Sequence, residues 1–302
     1  MVDVCLLGCG GMMPLPDRRL TALLFRCGGK MLLIDCGEGT QVSVKMTGWG
    51  FKAIEAILLT HYHADHIAGL PGLLSTIGNS GREEPLTLFG PPGLRQVVAG
   101  LTVIVPALPF DILLAELPPD CLSVGHVGDI HVSCMPVEHT TPCFAYCLEL
   151  KRAGRFDVEK AQSLAVPKAF WKRLQNGETV EYKGGRYTPD MVLGKERKGI
   201  KVAYCTDTRP TEGLVNFCRD ADLFICEGMY GEDEKLPDAA LKKHMTFSEA
   251  AGLAKKSGSK ELWLTHFSPS VKDPELYLEN AAKIFENSVA GRDLMMKTLH
   301  FE

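Results

Sequence analysis

The sequence has no apolar run near the ~20 residues that a membrane-spanning helix needs, so no helical membrane span is expected. It has no C-x-x-C pair, and its eleven cysteines are an odd number set mostly in apolar runs (Cys5, Cys134, Cys147, Cys205, Cys226). A disulfide framework is therefore not expected; reduced core thiols in a cytoplasmic protein are. It has no basic leader. Met1-Val2-Asp3-Val4-Cys5 reads as an immediate strand, so no signal peptide is expected. There is also no internal repeat. What remains is ordinary for a globular chain: 302 residues, 45% hydrophobic and 23% charged, enough for one large domain or two small ones.

The net charge of −4 is unevenly spread. Residues 151–199 carry twelve Lys/Arg against six Asp/Glu, a balance of +6, which leaves −10 for the remainder. A basic island on an acidic body is what a polyanion-binding patch requires; a solvated surface hairpin is the plainer alternative. The segment has few long apolar runs and is broken by Gly184-Gly185 and Pro189, so it reads as an inserted arm projecting from one domain that spans 1–302. Phe170 and Trp171 stand among Lys168, Lys172 and Arg173. Aromatic and basic residues interleaved in this way suit nucleic acid, unless the rings pack the arm onto the body. Lys168, Lys172 and Arg173 are the candidate substrate-binding residues.

The densest chemistry lies in Thr60-His61-Tyr62-His63-Ala64-Asp65-His66, directly after the apolar run Ala56-Ile57-Leu58-Leu59. Imidazoles suit zinc or iron, and a carboxylate is a harder ligand and a possible base. In an extended chain, residues two apart point the same way. His61 and His63 can then share one metal while Asp65 and His66 turn toward a second.

The same pattern recurs along the chain. Strand-like runs end at His61, at His139 after Met135-Pro136-Val137-Glu138, at Asp207 after Val202 to Thr206, and at His266 after Leu262-Trp263-Leu264-Thr265. Strand ends are where a rigid scaffold presents chemistry on loops. The count suits two metals: His61, His63 and His139 at one, Asp65, His66 and His266 at the other, and Asp207 bridging with its two oxygens. Each site keeps an open position, as catalytic zinc requires. A water between two such ions is a hydroxide at neutral pH, and Asp65 is placed to orient it or take its proton. His126, His131 and His300 lack this context and read as structural.

Other expectations are local. Strands are expected over 2–9, 20–25, 31–35, 86–89, 130–137, 144–150, 201–205, 222–226, 261–265 and 293–299. Helices are expected over 94–105 and 274–287, and from the capping box at Thr246 to about Ser257. Residues 106–129 are Pro-rich and resist assignment. Asp35-Cys36-Gly37-Glu38-Gly39-Thr40-Gln41 is a glycine-rich turn into a helix, either a tight turn with a structural Asp35 or a site presenting backbone N–H groups to an anion.

The H-x-H-x-D-H stretch after a strand resembles the metallo-β-lactamase superfamily. That resemblance implies an α/β fold, a four-layer αβ/βα sandwich with two metals at one sheet edge. Further motifs are similar to those of ribonuclease Z, the tRNA 3′-processing endonucleases, over nearly the full length. They are Leu7-Gly8-Cys9-Gly10-Gly11, Asp35 to Gln41, Gly69-Leu70-Pro71-Gly72-Leu73-Leu74, Gly154-Arg155-Phe156-Asp157, Tyr204 to Pro210 and Leu264-Thr265-His266-Phe267-Ser268. The resemblance implies that His61, His63, Asp65, His66, His139, Asp207 and His266 hold two zinc ions per subunit. It implies that His244 protonates the leaving 3′ oxygen and that Glu227 orients His244. It also implies a homodimer acting on precursor tRNA, with 151–199 gripping the tRNA elbow. The chain departs from the family pattern at Val166 to Arg173, at Glu227-Gly228-Met229-Tyr230 and at Pro269-Ser270-Val271-Lys272. A related phosphodiesterase for small substrates such as cyclic nucleotides is the alternative reading.

Overall fold

The computed structural model describes residues 1–302. The chain divides into two compact units, one of residues 1–149 and 201–300, the other of residues 150–200 with 301–302.

The first unit holds two seven-stranded sheets. Its first half runs β1 (Val2–Gly8), β2 (Ala22–Cys27), β3 (Lys30–Ile34), α1 (Thr40–Thr47), β4 (Ile54–Leu58), α2 (Ala64–Ile67), α3 (Leu70–Asn79), β5 (Leu86–Gly90), α4 (Leu94–Leu101) and β6 (Ile112–Glu116). β1, β2 and β3 pair antiparallel, and β3 to β6 pair parallel. Met31 to Ile34 and Ile57 to Leu59 are all fully buried. Strands covered on both faces need such continuous apolar runs rather than alternation. One face packs against Val44, Leu70, Leu73, Leu74, Ile77, Leu94 and Val98 of the outer helices.

β7 (Ser123–Val127), β8 (Ile130–Pro136) and β9 (Phe144–Arg152) open the other sheet. In the second unit lie α5 (Val158–Ser163), α6 (Trp171–Gln175), β10 (Val180–Tyr182), β11 (Gly185–Tyr187) and α7 (Pro189–Val192). Its own small core is Ala161, Val166, Leu174, Val180 and Val192, flanked by Phe156, Phe170 and Trp171. Trp171 Nε1 donates to the Val166 carbonyl at 3.0 Å, and its ring lies 5.2 Å from that of Phe156. The two aromatics therefore pack within this unit.

The first unit resumes with β12 (Arg197–Cys205), α8 (Glu212–Phe217), β13 (Leu223–Glu227), α9 (Leu236–Lys242), α10 (Phe247–Ser257), β14 (Leu262–Thr265), α11 (Leu278–Ala282), β15 (Ser288–Ala290) and β16 (Met295–Leu299). β12 to β15 pair parallel, and β16 returns to pair with β1. The architecture is the αβ/βα metallo-β-lactamase sandwich.

Three local expectations are corrected. The unassigned stretch 106–129 holds β6 and β7, outer strands whose half-buried residues carry a weak pattern. The expected helix 274–287 is a 3-10 turn over 274–277, the short α11 and then β15. α9 lies before His244, where no helix is expected. The capping box at Thr246 and Glu249 is present and starts α10.

Candidate metal centre

Three strand ends of the first unit turn back on themselves. Asp35 follows β3, Asp207 follows β12 and His266 follows β14, and each sits at positive φ, +60°, +51° and +57°. Non-glycine residues rarely hold this conformation, and they keep it only where surrounding contacts over-determine it. Here the turn swings each side chain toward one buried cluster.

The cluster gathers all seven residues expected as ligands. His63 Nδ1 lies 3.0 Å from His61 Nε2 and 3.3 Å from His139 Nε2. His66 Nε2 and His266 Nε2 are 3.1 Å apart, and Asp65 Oδ2 is 3.3 Å from His266 Nε2. Asp207 stands between the groups. Its Oδ2 is 3.6 Å from both His61 Nε2 and His139 Nε2, and its Oδ1 is 3.2 Å from His66 Nε2 and 3.3 Å from His266 Nε2. One carboxylate thus turns one oxygen to each set.

The outer nitrogens explain why the inner ones face the centre. His66 Nδ1 donates to Asp35 at 2.8 Å, His61 Nδ1 meets Thr60 Oγ1 at 3.0 Å, and His139 Nδ1 meets the Lys243 carbonyl at 3.3 Å. Asp35 also accepts from Thr60 N and Oγ1. With the ring protons engaged outside, the lone pairs point inward. A ring of inward lone pairs and carboxylate oxygens is a donor set for divalent cations, and the buried Asp207 Oδ1 has no hydrogen-bond donor of its own. These residues fit a two-cation site.

Charge tells the same story. Burial holds His61 well below its ordinary pKa and also lowers His63 and His139, which leaves them neutral and able to ligate. Burial pushes the Asp207 carboxyl up, but His266, His66 and His61 outweigh it and hold it well below the usual range. Burial also opposes ionisation of Asp65, and the His266 hydrogen bond with the charge of His66 overcomes it. Burial lowers His66, yet Asp207 and Asp35 raise it well above its usual value. The positive charge drawn to that imidazole is the charge a cation would supply.

His244 stands beside the cluster, its ring 5.3 Å from His139 and 5.5 Å from His266. Its Nδ1 donates to Glu227 Oε2 at 3.0 Å. The fully buried Glu227 also accepts from Thr208 N at 2.5 Å and Met245 N at 3.2 Å. Burial lowers the His244 pKa, but Glu227 raises it to about 9, so the ring keeps its proton at neutral pH.

Lys168, Lys172 and Arg173 are not in this cluster; they are exposed residues of the second unit, and Arg173 pairs with Glu178 at 2.8 Å. Three contributors escape the sequence reading, and a fourth, Asp35, is read there only as structural in a tight turn. Asp35 and Thr60 fix His66 and His61. Met12 N donates to Asp65 Oδ2 at 2.7 Å. Arg209 bonds the His244 carbonyl and Glu249. Only Asp35 carries a signal in the sequence: an acid closing an apolar strand, as Asp207 does.

Comparison with known proteins agrees with this geometry. Residues 2–98 match the family model "Anti-Pycsar protein Apyc1", under half of the chain. Ribonuclease Z of Clostridium acetobutylicum is 54% identical, covering 100% of this chain and 99% of the relative. Ribonuclease Z of Clostridium kluyveri is also 54% identical and covers 100% of both. Among solved structures, the short form of human tRNase Z superposes with a TM-score of 0.70 at 25% identity, covering 99% of this chain and 100% of that one. With such identity along its whole length, the chain belongs to the ribonuclease Z family of metal-dependent, phosphodiester-hydrolysing nucleases.

Proposed function

We propose that this chain is a zinc endoribonuclease that matures precursor tRNA. It hydrolyses the phosphodiester on the 3′ side of the discriminator nucleotide and leaves a 3′-hydroxyl. It works in the cytoplasm as a homodimer, and the basic segment 151–199 grips the tRNA elbow through Lys168, Lys172 and Arg173. The observation that carries the reading is Asp207, with one oxygen toward His61 and His139 and the other toward His66 and His266.

His61, His63 and His139 would hold one ion, Asp65, His66 and His266 the other, and Asp207 both. Two divalent cations bound there supply a hydrolytic nucleophile at neutral pH and offset the charge of the phosphate. The chain's own residues do the rest. Met12 N–H holds one Asp65 oxygen, and the carboxylate is set to receive a proton. Glu227 takes the Nδ1 proton of His244 as a hydrogen bond, so Nε2–H faces the departing 3′ oxygen and donates to it.

Purified, zinc-loaded protein is to be incubated with a 3′-extended precursor tRNA and, in parallel, with bis(p-nitrophenyl) phosphate. Cleavage at the discriminator nucleotide is the expected result. Hydrolysis of the ester alone would replace this reading with the small-substrate phosphodiesterase, which the departures at Glu227 to Tyr230 and Pro269 to Lys272 favour.

A further inference from the structure

A cavity of about 520 Å³ opens in the first unit beside the cluster just described. Its walls are Met12 and Met13 after β1, Tyr230 after β13, Lys242 of α9, Ser270 and Tyr277. Three of these walls are tied to site residues. Met12 holds Asp65 through its backbone, Tyr230 follows Glu227 by three residues, and Lys242 precedes His244 by two. The size lies within the ~300–1,000 Å³ of small-molecule sites.

The lining suits a nucleobase. Met12 and Met13 are 55% and 53% exposed at the rim, where apolar side chains gain nothing from the core. Thioethers are adaptable apolar surface, and aromatic rings give bases a stacking partner. Gly231 lets the Tyr277 ring pack against the backbone, since a Cβ there would meet the ring at 2.4 Å. The Tyr277 hydroxyl is tied to Glu232 at 3.2 Å, which fixes the ring's orientation. Lys242 and Lys235 balance Glu232 and Asp238 of the same lining, which suits a neutral base rather than a phosphate.

We infer that this cavity receives the base of the nucleotide carrying the departing 3′ oxygen, the nucleotide upstream of the scissile bond. The side of the bond follows from α9, which forms one wall and runs directly into His244, the residue facing that oxygen. The inference rests on the nuclease reading above and adds to it a residue-level determinant of base contact.

The test uses three precursor RNAs: intact, abasic at the upstream nucleotide, and abasic at the first downstream nucleotide. For the native protein, kcat/KM should fall about tenfold on the upstream abasic RNA, the scale of one lost stacking contact, and hold on the downstream one. Met13→Ala, an exposed position, and Tyr277→Leu should each slow cleavage of intact RNA several-fold and cost little more on the upstream abasic RNA. Both should leave bis(p-nitrophenyl) phosphate hydrolysis unchanged. Equal slowing by Met13→Ala on intact and upstream abasic RNA, or sensitivity to the downstream lesion instead, would overturn the assignment. If native protein hydrolyses the ester and none of the RNAs, the nuclease reading falls, and the cavity assignment falls with it.

Discussion

The buried cluster and the basic second unit are opposite solutions to placing functional groups. In the cluster His61, His66 and His139 have their second nitrogens engaged, that of His266 is fully enclosed, and three of the strand ends hold left-handed residues. In the second unit, five buried side chains support short helices and one hairpin, and Lys168, Lys172 and Arg173 stand in solvent. Chemistry at a phosphorus atom demands fixed geometry, whereas attraction to a polyanion acts over nanometre distances and tolerates mobile charges. The two regions should therefore fail in different ways when altered.

The largest effect is expected from Asp65→Ala. Turnover of both precursor tRNA and bis(p-nitrophenyl) phosphate should vanish, with circular dichroism unchanged; normal turnover would discard the metal-centre assignment. Next comes His244→Ala. We expect a loss of about 10²–10⁴ on tRNA, the range of one general acid, and near-normal hydrolysis of the nitrophenyl ester, whose leaving group needs no proton. A matching loss on both substrates would remove the acid role. Asp35→Ala leaves the ligands themselves in place but frees His66 Nδ1. Metal affinity, measured by competition with a chelator, should drop about 10–100-fold, and unchanged affinity would show that Asp35 serves only the turn. The smallest effect belongs to Lys172→Ala with Arg173→Ala. tRNA binding should weaken several-fold at low salt with a shallower salt dependence, while ester hydrolysis stays constant. An unaltered salt slope would take these two residues off the substrate path.

The contrast also decides what can be read without coordinates. His61, His63, Asp65 and His66 announce themselves because four ligands fall within six residues, and His139, Asp207 and His266 because each closes an apolar strand. Both signals are local in sequence. Asp35 and Thr60 lie 25 residues apart, and their hydrogen bond exists only because β3 and β4 are neighbours in register. Met12 acts through its backbone, which no side-chain pattern advertises. The second unit hides its core for a related reason. Ala161, Val166, Leu174, Val180 and Val192 are spread over 32 residues in runs of three apolar residues at most, so no periodicity marks them as a cluster. The strands buried on both faces were legible as long apolar runs; β6 and β7, half-covered at their sheet margins, were not.

Asp207 and its neighbours also bear on how the molecule stays closed. The ligands around it come from both halves of the chain: residues 61 to 66 follow a strand of one sheet, and residues 139, 207 and 266 follow strands of the other. Ions seated among them would act as rivets across the sandwich. By mass action a ligand that binds only the closed form stabilises it in proportion to the logarithm of its free concentration. The supply of metal in the surroundings would then govern how long the protein lasts as well as how fast it works.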